Sequence, residues 1–168
     1  PMFFGATIEE NLRKIRPSIS ERELDEIIEI TGLNEALRDF PDGISTEINQ
    51  FGLPLSQGSR ITLALARSLI SQPRILMIDE AISSLDKRGQ IRFLENLNKI
   101  GEGKTLLVVT HELRLIQNFD QIAVLDEGSI VGLGNHNELL ESCQTYKTLW
   151  NMDERLSNTS AFSTEKVT

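Results

Sequence analysis

The sequence predicts an α/β fold, a layer of helices over a parallel sheet, with a helical lobe ahead of it. Three observations predict it. After residue 70 the pattern alternates strand, helix, strand, helix, strand, which is the signature of a parallel sheet joined by crossovers. Ile75-Leu76-Met77-Ile78 is a short, continuous apolar run bounded by turn signals, as in a parallel strand buried on both faces. The residues before it, to about Ile70, carry helical spacing and read as a separate lobe.

In chain order, Thr7 and Glu10 form a T-x-x-E capping box that opens a short helix through Ile15, ended by Pro17. Ser20 and Glu23 repeat the signal, Leu24, Ile27 and Ile28 follow at helical spacing, and Gly32 stops the helix. The acidic residues from Glu21 to Glu29 are its solvated face. Asn34 to Phe40 gives a helical turn or two, closed by Pro41-Asp42-Gly43, and Ile44 to Leu55 reads as irregular. Gln57 to Ile70 is a helix apolar on most of its circumference, hence buried. After the strand at Ile75 a helix runs from Lys87 to Ile100, with Ile91, Leu94 and Leu97 on one face. Then come a second buried strand, Thr105–Thr110, and a short helix, Leu113–Asn118. Strands Gln121–Leu125 and Ser129–Leu133 flank the turn Asp126-Glu127-Gly128, and a last helical region runs from Asn137 to Trp150. The polar stretch 154–168 lacks an apolar period and reads as a disordered tail.

Composition excludes several classes. Lys and Arg number 17 against 25 Asp and Glu, a formal net charge of -8, which disfavours sequence-independent binding to nucleic acid or to anionic lipid. A single cysteine, Cys143, excludes an internal disulfide framework, and two histidines, His111 and His136, argue against a multi-histidine metal site. Arg67 and Arg74 interrupt the most apolar region, so no membrane span is visible, nor is a signal peptide. The first residue is Pro1, and the chain reads as a piece of a longer one.

Gly101-Glu102-Gly103-Lys104-Thr105 superficially matches a phosphate-binding loop. The pattern G-x-x-x-x-G-K-[ST] would need a glycine where Asn98 stands. The context is also reversed: a helix ends and a strand begins, whereas phosphate needs a helix N-terminus. Lys104 is read as a solvated turn residue.

Two constellations carry chemistry. Asp79 and Glu80 follow the apolar strand Ile75–Ile78, at the carboxyl edge of a parallel sheet, where ligands bind. In a nucleotide enzyme the first acid can hold Mg²⁺, directly or through water, and the second can orient or deprotonate the attacking water. The alternative is a pair of acids capping a strand in solvent. Ser56-Gln57-Gly58-Ser59 opens the long buried helix. Ser56 is placed as N-cap, and free N–H groups at the positive end of a helix dipole suit a phosphate. The alternative is an ordinary capped helix.

Together these residues form a family pattern. The run "LSQGSRITLALARSLISQPRILMIDEAISSLD" resembles the ATP-binding cassette (ABC) ATPases: a signature loop and its helix, the Walker B strand and the D-loop, in order. His111 after "TLLVVT" matches the switch histidine, and "QIAVLDEGSIVGLGNHNELL" resembles the closing strands and the glycine-histidine segment. "PMFFGATIEENL" and "PDGISTEINQFG" resemble the segments around the Q-loop and x-loop of exporter-type cassettes. The resemblance covers roughly residues 1–151, and the joint order of four motifs is more specific than any one. It implies a P-loop-NTPase-like parallel sheet core, present in part, with an α-helical signature subdomain. Residues 1–70 would be that subdomain, 71–153 the C-terminal part of the RecA-like ATPase core, and 154–168 the tail.

The resemblance also implies roles. Asp79 would support Mg²⁺ and Glu80 would polarise the attacking water. His111 would contact the γ-phosphate, and Asp86 would link two ATP sites across a dimer. Ser56, Gln57 and Gly58 lie in the signature, whose residues contact ATP bound to the opposite subunit; His136 is read as structural. The signature is LSQGS where the family has LSGGQ. A side chain at Gln57 would crowd phosphate where glycine would not, so a weakened or altered site is expected. Asn49, Gln50 and Phe51 also depart from the family's x-loop.

The family's adenine-stacking aromatic, P-loop and Q-loop glutamine would precede Pro1, so this chain alone is expected to hydrolyse almost no ATP. The implied function is the ATP-binding and hydrolysing domain of an ABC exporter. Its partners would be a second nucleotide-binding domain, head to tail, and a transmembrane domain fused upstream. It would sit on the cytoplasmic face of the membrane and contact its membrane partner through Pro1–Thr7 and Thr46–Gly52. A degenerate cassette with a regulatory or scaffold role is the alternative. A soluble ABC ATPase acting on nucleic acid is disfavoured by the charge of -8.

Overall fold

The structure is a computed structural model that describes residues 1–162, with side chains to residue 153. The chain divides into two compact units, Pro1–Val109 and a second beginning at Thr110. This boundary differs from the division at residue 70 read from the motifs.

The first unit begins with β1 (Ala6–Thr7) and α1 (Ile8–Arg13). Thr7 caps α1 and forms the full capping box with Glu10. Helix α2 (Glu21–Thr31) starts at Ser20, whose side chain accepts from the Glu23 N–H, and ends at Gly32 in the left-handed conformation, φ 76°. After α3 (Leu33–Ala36) the stretch read as irregular contains β2 (Glu47–Ile48), which pairs antiparallel with β1. Two-residue strands carry too little periodicity to be read from sequence. Helix α4 (Gln57–Ile70) follows as predicted, capped by Ser56. Around it Ile8, Leu12, Leu24, Leu33, Leu63 and Ile70 form a hydrophobic cluster.

Strand β3 (Ile75–Asp79) pairs in parallel with β4 (Thr105–Val109), in register from Ile75↔Thr105 to Asp79↔Val109. The fold class therefore holds, but the expectation of strands buried on both faces does not. Leu76 and Ile78 are buried while Ile75 and Met77 are exposed, Met77 at 69%. Successive side chains point to opposite faces, and within this unit only one face is covered.

The helix expected from Lys87 to Ile100 is two, α5 (Lys87–Glu95) and α6 (Leu97–Gly101). Asn96 breaks it, with its side-chain amide donating to the Arg92 carbonyl, a local bond that competes with helix continuation. The buried residues are Phe93 and Ile100; Ile91 and Leu94, read as sharing one face, are exposed.

In the second unit the helix expected at Leu113–Asn118 is a single 3₁₀ turn, Leu113–Leu115, with no side-chain cap. Strands β5 (Ile122–Asp126) and β6 (Ser129–Gly134) form an antiparallel hairpin with an irregularity between Val124 and Leu125. Among the described residues the strands form three two-stranded sheets. The last helical region is α7 (His136–Ser142) and α8 (Gln144–Phe162), separated at Cys143. Helix α8 passes Glu154, where a tail was expected, because extending a formed helix is far easier than nucleating one. The rest of that expectation, 163–168, lies outside the described residues.

Candidate functional site

Ser56 is extended, φ −62° and ψ 166°, so its hydroxyl turns back onto α4. Its Oγ accepts from the Ser59 N–H at 3.1 Å and lies 2.8 Å from Ser59 Oγ. Ser59 Oγ in turn donates to the Ala36 carbonyl at 3.3 Å, tying the helix start to α3. The N–H groups of Gln57 and Gly58 belong to the first turn, which has no intrahelical acceptors.

Opposite this turn lies the segment from Ser84 to Asp86. Asp86 is the N-cap of α5, with Oδ1 accepting from the Gly89 N–H at 2.7 Å. The two helix starts open on one cleft of about 500 Å³, whose lining includes Ser56, Gly58, Ser84, Asp86, Arg38 and Arg88. A Cβ added at Gly58 would lie 3.9 Å from the Ser84 carbonyl oxygen, so glycine keeps the backbone approachable. Glu35, on the same cleft, pairs with Arg92 and with Arg38. The Arg92 hydrogen bond foremost holds the Glu35 carboxyl below the usual range. The lining balances Arg38, Arg88 and Arg92 against Glu35, Asp39 and Asp86, so what it offers an anion is the free N–H groups at the positive end of α4.

Sequence reasoning missed Arg38, Ser84 and Arg88. Arg88 stands two residues after the Asp86 cap, a spacing that sequence offers. Arg38 reaches the cleft only through the packing of α3 on α4, which no local pattern reports. Gln57 is exposed and is not among the residues lining the cleft.

Asp79 ends β3, and Glu80 turns the chain in the left-handed conformation, φ 47°. A non-glycine residue there is strained. It is held by its N–H donating to the Val109 carbonyl at 2.9 Å and by its carbonyl accepting from Ser83 Oγ at 2.7 Å. Both acids are exposed. Among the described residues no group of three metal-ligating side chains occurs. Mg²⁺ needs none, since it takes one or two carboxylates with water and phosphate oxygens. Asp79, a hard oxygen donor with no hydrogen-bond or ion-pair partner among the described residues, fits that role.

His111 is exposed, in the bend after Thr110, in the second unit. His136 Nδ1 lies 2.9 Å from Tyr146 Oη, and its ring centroid is 4.4 Å from that of Trp150. Burial raises the Tyr146 phenol. These bonds fit the structural reading of His136. Lys104 Nζ donates to the Glu102 carbonyl within the turn from α6 to β4, as a turn residue does.

No protein-family model matches the chain. A solved bacterial Atm1-family ABC exporter with ATP bound superposes with a TM-score of 0.83 and 31% identity, over 91% of this chain and 27% of that one. In sequence, ABC transporter B family member 4 of Dictyostelium discoideum is 36% identical over 89% of this chain. ATP-binding cassette sub-family B member 6 of Xenopus tropicalis is 35% identical over 96%. The chain is homologous to ABC exporter proteins over 87% to 96% of its length. It spans 19% to 25% of the length of the first curated relatives it matches. No helix among the described residues is long and apolar enough to cross a membrane.

Proposed function

We propose that the chain is part of the ATP-binding and hydrolysing domain of an ABC exporter, which couples ATP hydrolysis to export across a membrane. The observation that carries this is the shared cleft: the signature turn at Ser56 and Gly58 and the D-loop residue Asp86 line one anion-suited space. Its resemblance to ATP-binding exporters supports the same reading.

In this reading Glu80 orients and deprotonates the attacking water, and the strained turn fixes where its carboxylate stands. Asp79 holds Mg²⁺, which when bound neutralises charge on the phosphate oxygens. His111 hydrogen-bonds the γ-phosphate. The α4 N-terminus, through the Gly58 N–H and the Ser56 hydroxyl, receives the γ-phosphate of ATP carried by a second domain docked head to tail. Asp86 connects the two sites. Met2, Phe4, Phe51 and Leu53 are exposed apolar residues within or beside Pro1–Thr7 and Thr46–Gly52. They form the contact with a transmembrane domain on its cytoplasmic side, carried upstream in the same polypeptide.

The test is Glu80→Gln in the full-length polypeptide. ATP turnover is expected to fall by about two to four orders of magnitude with nucleotide binding retained. Unchanged turnover removes Glu80 from the reaction. One observation favours a second reading, a degenerate cassette with a regulatory or scaffold role. Ser59, where the family has glutamine, is buried and bonded inward to Ala36. In that case the unsubstituted protein binds ATP and shows no turnover to lose.

A further inference from the structure

A serine hydroxyl carries one proton and two lone pairs, whereas a backbone carbonyl only accepts. That inventory fixes the direction of the hydrogen bonds at the start of α4. Ala36 ends α3, and the last carbonyls of a helix have no intrahelical donor. Ser59 Oγ donates to the Ala36 carbonyl at 3.3 Å, from a side chain that is buried. The one proton of Ser59 is thereby committed inward. The 2.8 Å contact between the two hydroxyls therefore runs from Ser56 to Ser59, with Ser56 as the donor. Ser56 Oγ also accepts from the Ser59 N–H at 3.1 Å.

Ser56 is exposed and lines the cleft, yet its proton points into the fold. What its Oγ turns outward is a lone pair, which repels the oxygen of an anion. The Ser59 N–H is spent on the cap, and the Arg60 N–H donates to the Ser56 carbonyl at 3.0 Å. The start of α4 is left with two donors for a phosphate, the N–H groups of Gln57 and Gly58. We propose that Ser59 is a positioning residue that holds the Ser56 hydroxyl proton away from nucleotide, and so weakens the grip of the α4 start on a terminal phosphate. This rests on the reading that the α4 N-terminus receives the γ-phosphate. To donate to that phosphate, Ser56 has to leave Ser59, and the relay Ser56–Ser59–Ala36 breaks at its first bond. Alanine at position 59 removes the oxygen that holds the proton. It keeps the backbone N–H that the Ser56 cap uses, so the helix start stays in place.

The test is titration calorimetry of the full-length polypeptide in Mg²⁺, with either a non-hydrolysable ATP analogue or ADP, which lacks the terminal phosphate. Ser59→Ala is expected to bind the analogue about ten-fold more tightly than the parent, the worth of one hydrogen bond to a charged group, and to bind ADP as the parent does. The gain should run through Ser56. Ser56→Ala and the double variant Ser56→Ala/Ser59→Ala are therefore expected to bind the analogue alike, which closes a double-mutant cycle. An unchanged or weaker affinity of Ser59→Ala for the analogue overturns the proposal. So does an equal gain for ADP, or a gain that survives in the Ser56→Ala background, since a purely structural effect of the buried serine would produce either. Should Ser59→Ala not fold, Ser59→Cys, whose sulfur is a weak acceptor, is read by the same criteria. Failure of the parent and every variant to bind either nucleotide overturns the functional reading beneath the proposal, and the parent's own curve shows it without reference to Ser59.

Discussion

The helical cluster around α4 and the strand pair β3–β4 are built from equally apolar sequence, yet they end in opposite states. Leu63 and Ile70 on α4, with Ile8 and Leu12 on α1, have no exposed surface. On the strands, every second residue, Ile75, Met77, Leu107 and Val109, stays open. The helices wrap one another, so each apolar stripe finds a partner within a short stretch of chain. A parallel strand finds its partners through crossovers, and a two-stranded pair covered on one side leaves its other face open. Local apolar content therefore reports burial reliably for the helices and only half correctly for the strands.

Truncation separates the two regions most strongly. Leu63→Ala removes a fully buried side chain from the cluster and is expected to cost about 2–5 kcal/mol. Met77→Ala, on the open face, should stay within about 0.5 kcal/mol. Urea unfolding of the two variants against the parent checks both. Equal losses would mean that the open strand face is covered in solution. The polar element of the cluster comes next. Asn11 is fully buried; its Oδ1 accepts from the Phe4 N–H, and its Nδ2 donates to the carbonyls of Phe4 and Thr7 at 3.0 and 2.9 Å. Asn11→Leu strands the Phe4 N–H and is expected to cost about 2–3 kcal/mol, with a loss of exchange protection at Phe4 as its local sign. A loss of stability without that sign would place the Asn11 contribution elsewhere than in the chain entry to β1.

What the sequence made legible follows the same division. The caps at Thr7, Ser20 and Ser56, the stop at Gly32 and the full extent of α4 depend on residues within one or two turns of each other. All appear where the pattern placed them. Asp79 and Glu80 were locatable because an apolar run ends on them. The strained backbone of Glu80 was not, since its left-handed φ depends on the pairing with Val109. Phe93 faces inward rather than Ile91 or Leu94, because periodicity tells which residues share a helix face and not which face a neighbouring element covers. The cleft between the α4 and α5 starts was half visible. Ser56, Gly58 and Asp86 carry cap signals, whereas Arg38 arrives through tertiary packing.

The finest test lies where the helical region meets its short sheet. The Glu10 carboxylate accepts from the Thr7 N–H at 2.8 Å and from Thr7 Oγ1 at 3.1 Å. The backbone hydrogen bond, first among these causes, holds its carboxyl below the ordinary value. A carboxyl whose folded pKa is depressed gives stability that is fully present above its unfolded pKa and is lost as pH falls through the folded one. The β1–α1 junction should therefore loosen on acidification from about pH 4.5 downward. Glu10→Gln keeps an oxygen acceptor for Thr7 while removing the charge, so its stability should vary less over that window. The strand pair offers a control. Parent and Glu10→Gln should differ in the pH dependence of exchange at Thr7 and Ile8, and coincide at Met77 and Leu107. A difference of the same size at both places would mean that the acid response is a property of the whole unit rather than of the box that opens α1.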